Sequence, residues 1–238
     1  MIPFVITGDT HGEYGRYVEI LNLMEKYRDE KEKFICVAGD FGYLFLDDFA
    51  EHKLLNEMEK SDFVFVVVPG NHENYEKFQE YEIVDFYGAK AHKIRKNIFY
   101  IRRGEIFTIG GKSFFAMSGG YSVDKDMRRE DYSWWRDEMP TDADYKYALE
   151  NIEKHRNSGG KIDYVISHTA PLSGLEILGK NHGLEEMPLN NFLEYVRELL
   201  KGECITHYYG HLHVDKDMPY INQRALWFDY EVLSLEEQ

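Results

Sequence analysis

Short apolar runs recur along the chain, each ended by glycine or a polar cluster. Ile2–Thr7, Phe34–Ala38, Phe63–Val68, Tyr164–Ser167 and Cys204–Tyr209 are rich in Val, Ile and aromatic residues, which predicts buried strands. Between the first three, the spacing of apolar residues turns helical. Tyr17, Leu21, Met24 and Tyr27 line one face, and Phe49, Leu55 and Met58 outline a looser second helix. Strand and helix in alternation predict βαβ units and an α/β fold built on an open sheet. The middle of the chain differs: Ile98–Ile101, Ile106–Ile109 and Ser113–Met117 are expected as consecutive strands, with Gly110-Gly111 as a two-residue hairpin turn. Helices follow at about 142–156 and 188–201, the latter with Pro188 in its first turn and Gly202 at its end. More strand is expected over 220–235. No internal repeat, low-complexity tract or linker interrupts residues 1–238, so one domain with two sheets is the expectation.

Composition narrows the partners. Hydrophobic residues make up 43% and charged residues 30% of 238 residues, the balance of a globular chain. Acidic residues outnumber basic ones 43 to 28, for a net charge of -15. Affinity for DNA or RNA is built from Lys and Arg against phosphates, so long nucleic acid is disfavoured. A small phosphate ester meeting bound cations is not. Cys36 and Cys204 lie far apart in apolar runs, as free buried thiols do. The first residues lack a signal-peptide pattern, and the longest apolar run, Phe63–Val68, is too short to span a bilayer. A cytoplasmic protein without a membrane partner is the expectation.

The chemistry follows the strands. The first ends in Gly8-Asp9-Thr10-His11, the second in Gly39-Asp40, and the third in Pro69-Gly70-Asn71-His72-Glu73. The fourth ends in His168 and the fifth in Gly210-His211-Leu212-His213. Open α/β sheets bind ligands beyond the carboxyl ends of their strands, so five such ends can bring Asp, Asn and His to one place. Mixed carboxylate and imidazole donors suit Mn²⁺, Fe, Zn²⁺ or Ni²⁺ better than Ca²⁺. Seven donors exceed what one ion with an open position needs, but suffice for two ions if a carboxylate bridges.

The order D-x-H, G-D, G-N-H-E, H, G-H-x-H resembles the calcineurin-like metallophosphoesterase superfamily over nearly the whole chain. The resemblance implies a four-layer α/β/β/α sandwich of two mixed β-sheets flanked by helices. It further implies two divalent transition-metal ions, Asp9, His11 and His213 holding one and Asn71, His168 and His211 the other, with Asp40 bridging. A metal-bridging hydroxide would then attack phosphorus in line while Asn71 helps neutralise the phosphoryl oxygens. His72, not a ligand, would contact substrate and protonate the leaving oxygen. The second block reads Gly39-Asp40-Phe41-Gly42-Tyr43-Leu44 in place of the G-D-x-x-D-R of the phosphoprotein phosphatases. The bridging carboxylate is there, but the phosphate-binding arginine is not.

Residues 119–141 are too polar and aromatic for a core strand and too long for a plain linker. They resemble a GG-x-YS-x-D-K…SWW stretch in a bacterial and phage branch of small metallophosphoesterases. Arg128 or Arg129 could clamp a substrate phosphate there, with Trp134 and Trp135 stacking on a base or covering the site. The alternative is a surface loop anchored by its tryptophans. His52, His92, His155, His182 and His207 are read as ordinary structural histidines, Asp47-Asp48 as a helix N-terminus, and Glu73 as a residue that orients a neighbour. The expected activity is hydrolysis of a small phosphomonoester or phosphodiester. A nuclease or cyclic-nucleotide phosphodiesterase with the same centre is the alternative. A non-catalytic scaffold and a single structural zinc site are less well supported.

Overall fold

A computed structural model describes residues 1–181 and 183–236, so His182 lies outside the described residues. The chain runs β1 (Ile2–Thr7), α1 (Tyr14–Met24), β2 (Phe34–Val37), α2 (Phe49–Met58), β3 (Val64–Val67), a single turn α3 (Tyr75–Phe78), β4 (Ile83–Phe86), β5 (Ala89–Arg95) and β6 (Ile98–Ile101). It continues through β7 (Glu105–Ile109), β8 (Lys112–Met117), α4 (Asp142–Asn157), β9 (Tyr164–Ser167), α5 (Leu172–Leu178) and α6 (Met187–Leu199). It ends in β10 (Thr206–Tyr209), β11 (Lys216–Met218), β12 (Gln223–Ala225) and β13 (Tyr230–Leu235).

Two mixed sheets result, ordered β13-β1-β2-β3-β6-β5-β4 and β11-β12-β10-β9-β8-β7. In the first, β1, β2, β3 and β6 are parallel, with antiparallel neighbours at both sides. In the second, β12, β10, β9 and β8 are parallel. Parallel strands in the middle of each sheet send their carboxyl ends the same way, which is why the polar blocks after β1, β2, β3, β9 and β10 can meet.

Period-two alternation builds the layers. Phe4, Ile6, Phe34, Cys36 and Val66 turn inward and meet Phe107, Phe114, Ala116, Ile166 and Tyr208 of the second sheet. Phe4 stacks on Phe114 at 4.6 Å between ring centroids, and Phe114 on Phe107 at 5.0 Å. The alternate residues Val5, Ile35, Val37, Phe65 and Val67 face Tyr17, Ile20, Met24, Leu55 and Met58 of α1 and α2. Phe115, Met117 and Val165 carry α4 and α6 on the outer face of the second sheet. Helix, sheet, sheet, helix is therefore the layer order.

The three consecutive strands expected in the middle of the chain form, Ile98–Ile101 in the first sheet and 105–109 with 112–117 as the Gly110-Gly111 hairpin in the second. Other expectations need correction. Leu21 and Phe49, assigned to helix core faces by spacing, are exposed. The last segment opens on a 3-10 turn at Pro219–Ile221, followed by β12 and β13 with a loop between them. Asp48 does cap α2, its carboxylate accepting from Glu51 N at 2.9 Å. Among the described residues no helix is long and apolar enough to cross a membrane.

One structural histidine yields a prediction. His207, buried on β10, donates from Nε2 to Ser167 Oγ at 2.7 Å, because that hydroxyl gives its own proton to Thr169 O. Burial pushes its pKa down to about 3. The unfolded ring titrates near 6.5, so between these values the unfolded chain binds the extra proton and stability falls as pH drops. A His207→Gln variant lacks this group. Its deficit in urea unfolding free energy relative to wild type is expected to shrink by about 2 kcal/mol from pH 7 to pH 5. An unchanged gap would mean that the ring is solvated or already charged in the fold.

Candidate metal centre

The loops beyond the five parallel strands converge as the sequence predicts. Asp9 and Asp40 are buried, and their carboxylates lie among imidazoles. His213 Nε2 is 3.1 Å from Asp9 Oδ2 and 3.1 Å from His11 Nε2. His11 Nε2 is 3.9 Å from both Asp9 Oδ2 and Asp40 Oδ2. On the other side, His168 Nε2 lies 3.2 Å from Asp40 Oδ1 and 2.9 Å from Asn71 Oδ1. Three sets of side chains, Asp9-His11-His213, His11-Asp40-His72 and Asp40-His168-His211, each bring their donor atoms within 4.8 Å of one another. Asp40 thus turns Oδ2 toward one half of the cluster and Oδ1 toward the other.

Backbone conformation holds these donors in place. His11, Asp40, His211 and His213 all have left-handed φ, between 48° and 65°. Such residues cost of order 1–3 kcal/mol each and cluster where geometry matters more than stability. Close approach explains two glycines: a Cβ on Gly39 would overlap the His168 ring, and one on Gly210 would overlap Asp9 Oδ1. Glu73 ties the loops together. Its carboxylate accepts from Phe41 N at 2.6 Å, Gly42 N at 3.3 Å and Gly70 N at 2.5 Å. Burial and the charge on Asp40 push Glu73 up to about 8, against the pull of His168 and those backbone N–H groups.

The electrostatics call for a cation. Burial opposes charge on Asp40, yet His168 beside it, with His72 and His11, holds its carboxyl well below the usual range. Burial likewise opposes a charged His168, but Asp40 and Asp9 push that ring up to about 10. A proton on His168 is the charge available from the protein itself. Divalent ions are a better match to two buried carboxylates ringed by imidazoles and an amide oxygen, so the residues present fit metal.

Residues 119–141 lie over the centre. Arg128 Nη2 is 3.0 Å from His72 Nε2, Arg128 Nη1 is 3.5 Å from Nδ1, and Nε donates to Asp124 Oδ1 at 2.7 Å. Arg129 is instead exposed, its guanidinium over the Tyr132 ring. Trp135 is buried with its edge toward Phe45, which in turn stacks on His72. Buried Trp135 anchors the segment, and Lys125 Nζ lies 5.8 Å from the ring centroid of half-buried Trp134. His72 is close enough to join His11 and Asp40 as a donor. A guanidinium against both ring nitrogens makes it a poor cation ligand.

The model of calcineurin-like phosphoesterases matches residues 2–215. The chain belongs to that family. Its members' metal dependence accords with the donor set above, and the chain is a metal-dependent phosphoesterase. No curated protein matches it. Among solved structures it is similar to phosphopantetheinyl hydrolase from Mycobacterium tuberculosis, at 13% identity and a TM-score of 0.45, over 95% of this chain and 88% of that one.

Three residues at the centre carry no family motif and were not predicted. Trp227 stacks on His213 at 5.1 Å and 7°. Glu138 accepts from Ser122 N and Oγ, at 2.8 and 2.7 Å, and Ser122 Oγ accepts from Asn71 Nδ2 at 3.1 Å. Glu186, wholly buried, faces His211. The two glutamates left no signal in spacing.

Proposed function

We propose that the protein is a dinuclear phosphoesterase acting on a small phosphomonoester or phosphodiester. The observation that carries this reading is Asp40, whose two oxygens face opposite halves of the donor cluster. Asp9, His11 and His213 would hold one ion, Asn71, His168 and His211 the other, and Asp40 would serve both. Two divalent ions bound there supply Lewis acidity and an activated water for in-line attack on phosphorus. The chain's own residues do the rest. Asn71 keeps its amide oriented through Ser122, Arg128 meets the phosphoryl oxygens, and His72 gives a proton to the leaving oxygen. Arg129, exposed on Tyr132, takes no part. The lack of a basic stripe, with a net charge of -15, supports a small substrate over a long polymer.

The test is hydrolysis of p-nitrophenyl phosphate and bis-p-nitrophenyl phosphate with Mn²⁺, before and after chelation. Wild type is expected to turn over at least one ester and to lose the activity when the metal is stripped. Arg128→Ala is expected to raise KM about tenfold or more, through loss of one charge-assisted contact. Fully loaded, folded protein that hydrolyses neither ester nor any larger panel of small phosphate esters would instead favour a scaffold.

A further inference from the structure

Glu186 touches three separate parts of the centre at once. It immediately precedes α6 and is fully buried, although no helix or strand pattern marks it. Its Oε1 lies 3.0 Å from His211 Nε2 and accepts from Tyr121 N at 2.9 Å. Its Oε2 accepts from Thr169 Oγ1 at 3.1 Å, on the residue that follows His168. Asn190 Nδ2 on α6 approaches the same oxygen at 3.5 Å. One carboxylate therefore joins His211, the Thr169 side chain beside His168, and the start of the 119–141 segment.

That segment start is itself built into the site. Gly119 N donates to Pro69 O at 2.9 Å and Gly120 N to Glu138 O at 3.3 Å. Gly120 lies so close that an added Cβ would come within 2.8 Å of the His168 ring, 3.2 Å of Asn71 Oδ1 and 3.5 Å of His211 Cε1. Residues 119–122 thus wall the half of the cluster formed by Asn71, His168 and His211, and Glu186 and Glu138 pin that wall.

We infer that Glu186 is a positioning residue for this half of the centre, setting how tightly the second ion is held. A carboxylate 3.0 Å from Nε2 favours the proton on that nitrogen, which would leave Nδ1 of His211 to hold an ion. Carboxylates behind ligating histidines act this way, fixing tautomer and ring orientation and raising basicity. These contacts of Glu186 all fall on the half formed by Asn71, His168 and His211, whereas His213 of the other half stacks on Trp227, so the two ions respond differently to its loss. The inference rests on the dinuclear reading above.

Mn²⁺ binding to metal-stripped protein, followed by calorimetric titration and by elemental analysis after gel filtration, tests both separately. Wild type is expected to bind two ions per chain. In Glu186→Ala one Kd rises about 10–100-fold while the other stays within about threefold. Glu186→Gln, which keeps an acceptor oxygen but not the charge, falls between the two and decides the matter if the alanine variant does not fold. The thermal midpoint of the metal-free variants reports folding independently. Two ions in wild type with both Kd values unchanged in the variants, or weakened in parallel, would overturn the role given to Glu186. A single ion in wild type would overturn the dinuclear reading, and the inference with it.

Discussion

Asp40→Asn is expected to lower kcat on p-nitrophenyl phosphate by about 10³-fold or more, some 4 kcal/mol of transition-state stabilisation, while the protein stays folded. The wild-type carboxylate offers one oxygen to each half of the cluster, with Oδ1 3.2 Å from His168 Nε2 and Oδ2 3.9 Å from His11 Nε2. Asn keeps only one oxygen and brings no charge, so it can serve one half or the other. Folding is expected to survive for two reasons. Asn tolerates the left-handed backbone that Asp40 adopts at φ 48°. Its amide oxygen can also still accept the 2.8 Å bond from His72 N. Paired measurements of kcat, Mn²⁺ stoichiometry and thermal midpoint decide it. Activity within tenfold of wild type, at unchanged stoichiometry, would remove Asp40 from the bridging position proposed for it.

The contrast between Asp40 and Glu186 shows what sequence can and cannot disclose. Asp9, Asp40, Asn71, His168 and His211 were legible because each follows a short apolar run, and parallel strands deliver their ends to one edge. That inference needs only local pattern and the rule for strand ends. Glu186 and Glu138 reach the same place from loops without periodicity. Their contacts with Tyr121 and Ser122 exist only once both sheets are packed. Arg128 and Arg129 are adjacent and chemically alike, so composition could not separate them. The 3-10 turn over Lys125–Met127 and the Asp124–Arg128 pair aim one at His72 and leave the other outside.

The same limit applied to the scaffold. Strand β5 escaped because its alternation is carried by Ala89, Ala91 and Lys residues, and β4 because Ile83-Val84-Asp85-Phe86 is too short a run to show a period. Their two-residue turn is Tyr87-Gly88, at φ 50° and 92°, where Asn-Gly is the usual signal. Leu21 and Phe49 fitted a helical stripe by spacing yet face solvent, since the neighbouring sheet covers only part of that arc. Pattern locates the elements. Which of their faces are covered is decided by the neighbours.

His72→Ala is expected to act selectively, and that selectivity identifies its role. Its backbone N–H binds Asp40, its ring stacks on Phe45, and Arg128 lies against both ring nitrogens. Burial lowers the pKa of the ring, Asp40 works against that, and Arg128 and His11 add to the lowering. As placed, Nε2 accepts from the guanidinium. Arg128 must therefore turn to the phosphoryl group before His72 can give a proton to the leaving oxygen, which couples phosphate binding to proton donation. A poor leaving group needs that proton and p-nitrophenolate does not. The alanine variant is expected to lose about 10²–10³-fold in kcat on alkyl phosphates but less than about tenfold on p-nitrophenyl phosphate. In a series of aryl and alkyl esters, log kcat should fall more steeply with leaving-group pKa in the variant than in wild type. A uniform loss with the slope unchanged would make His72 a binding residue, and the proton would then have to come from water.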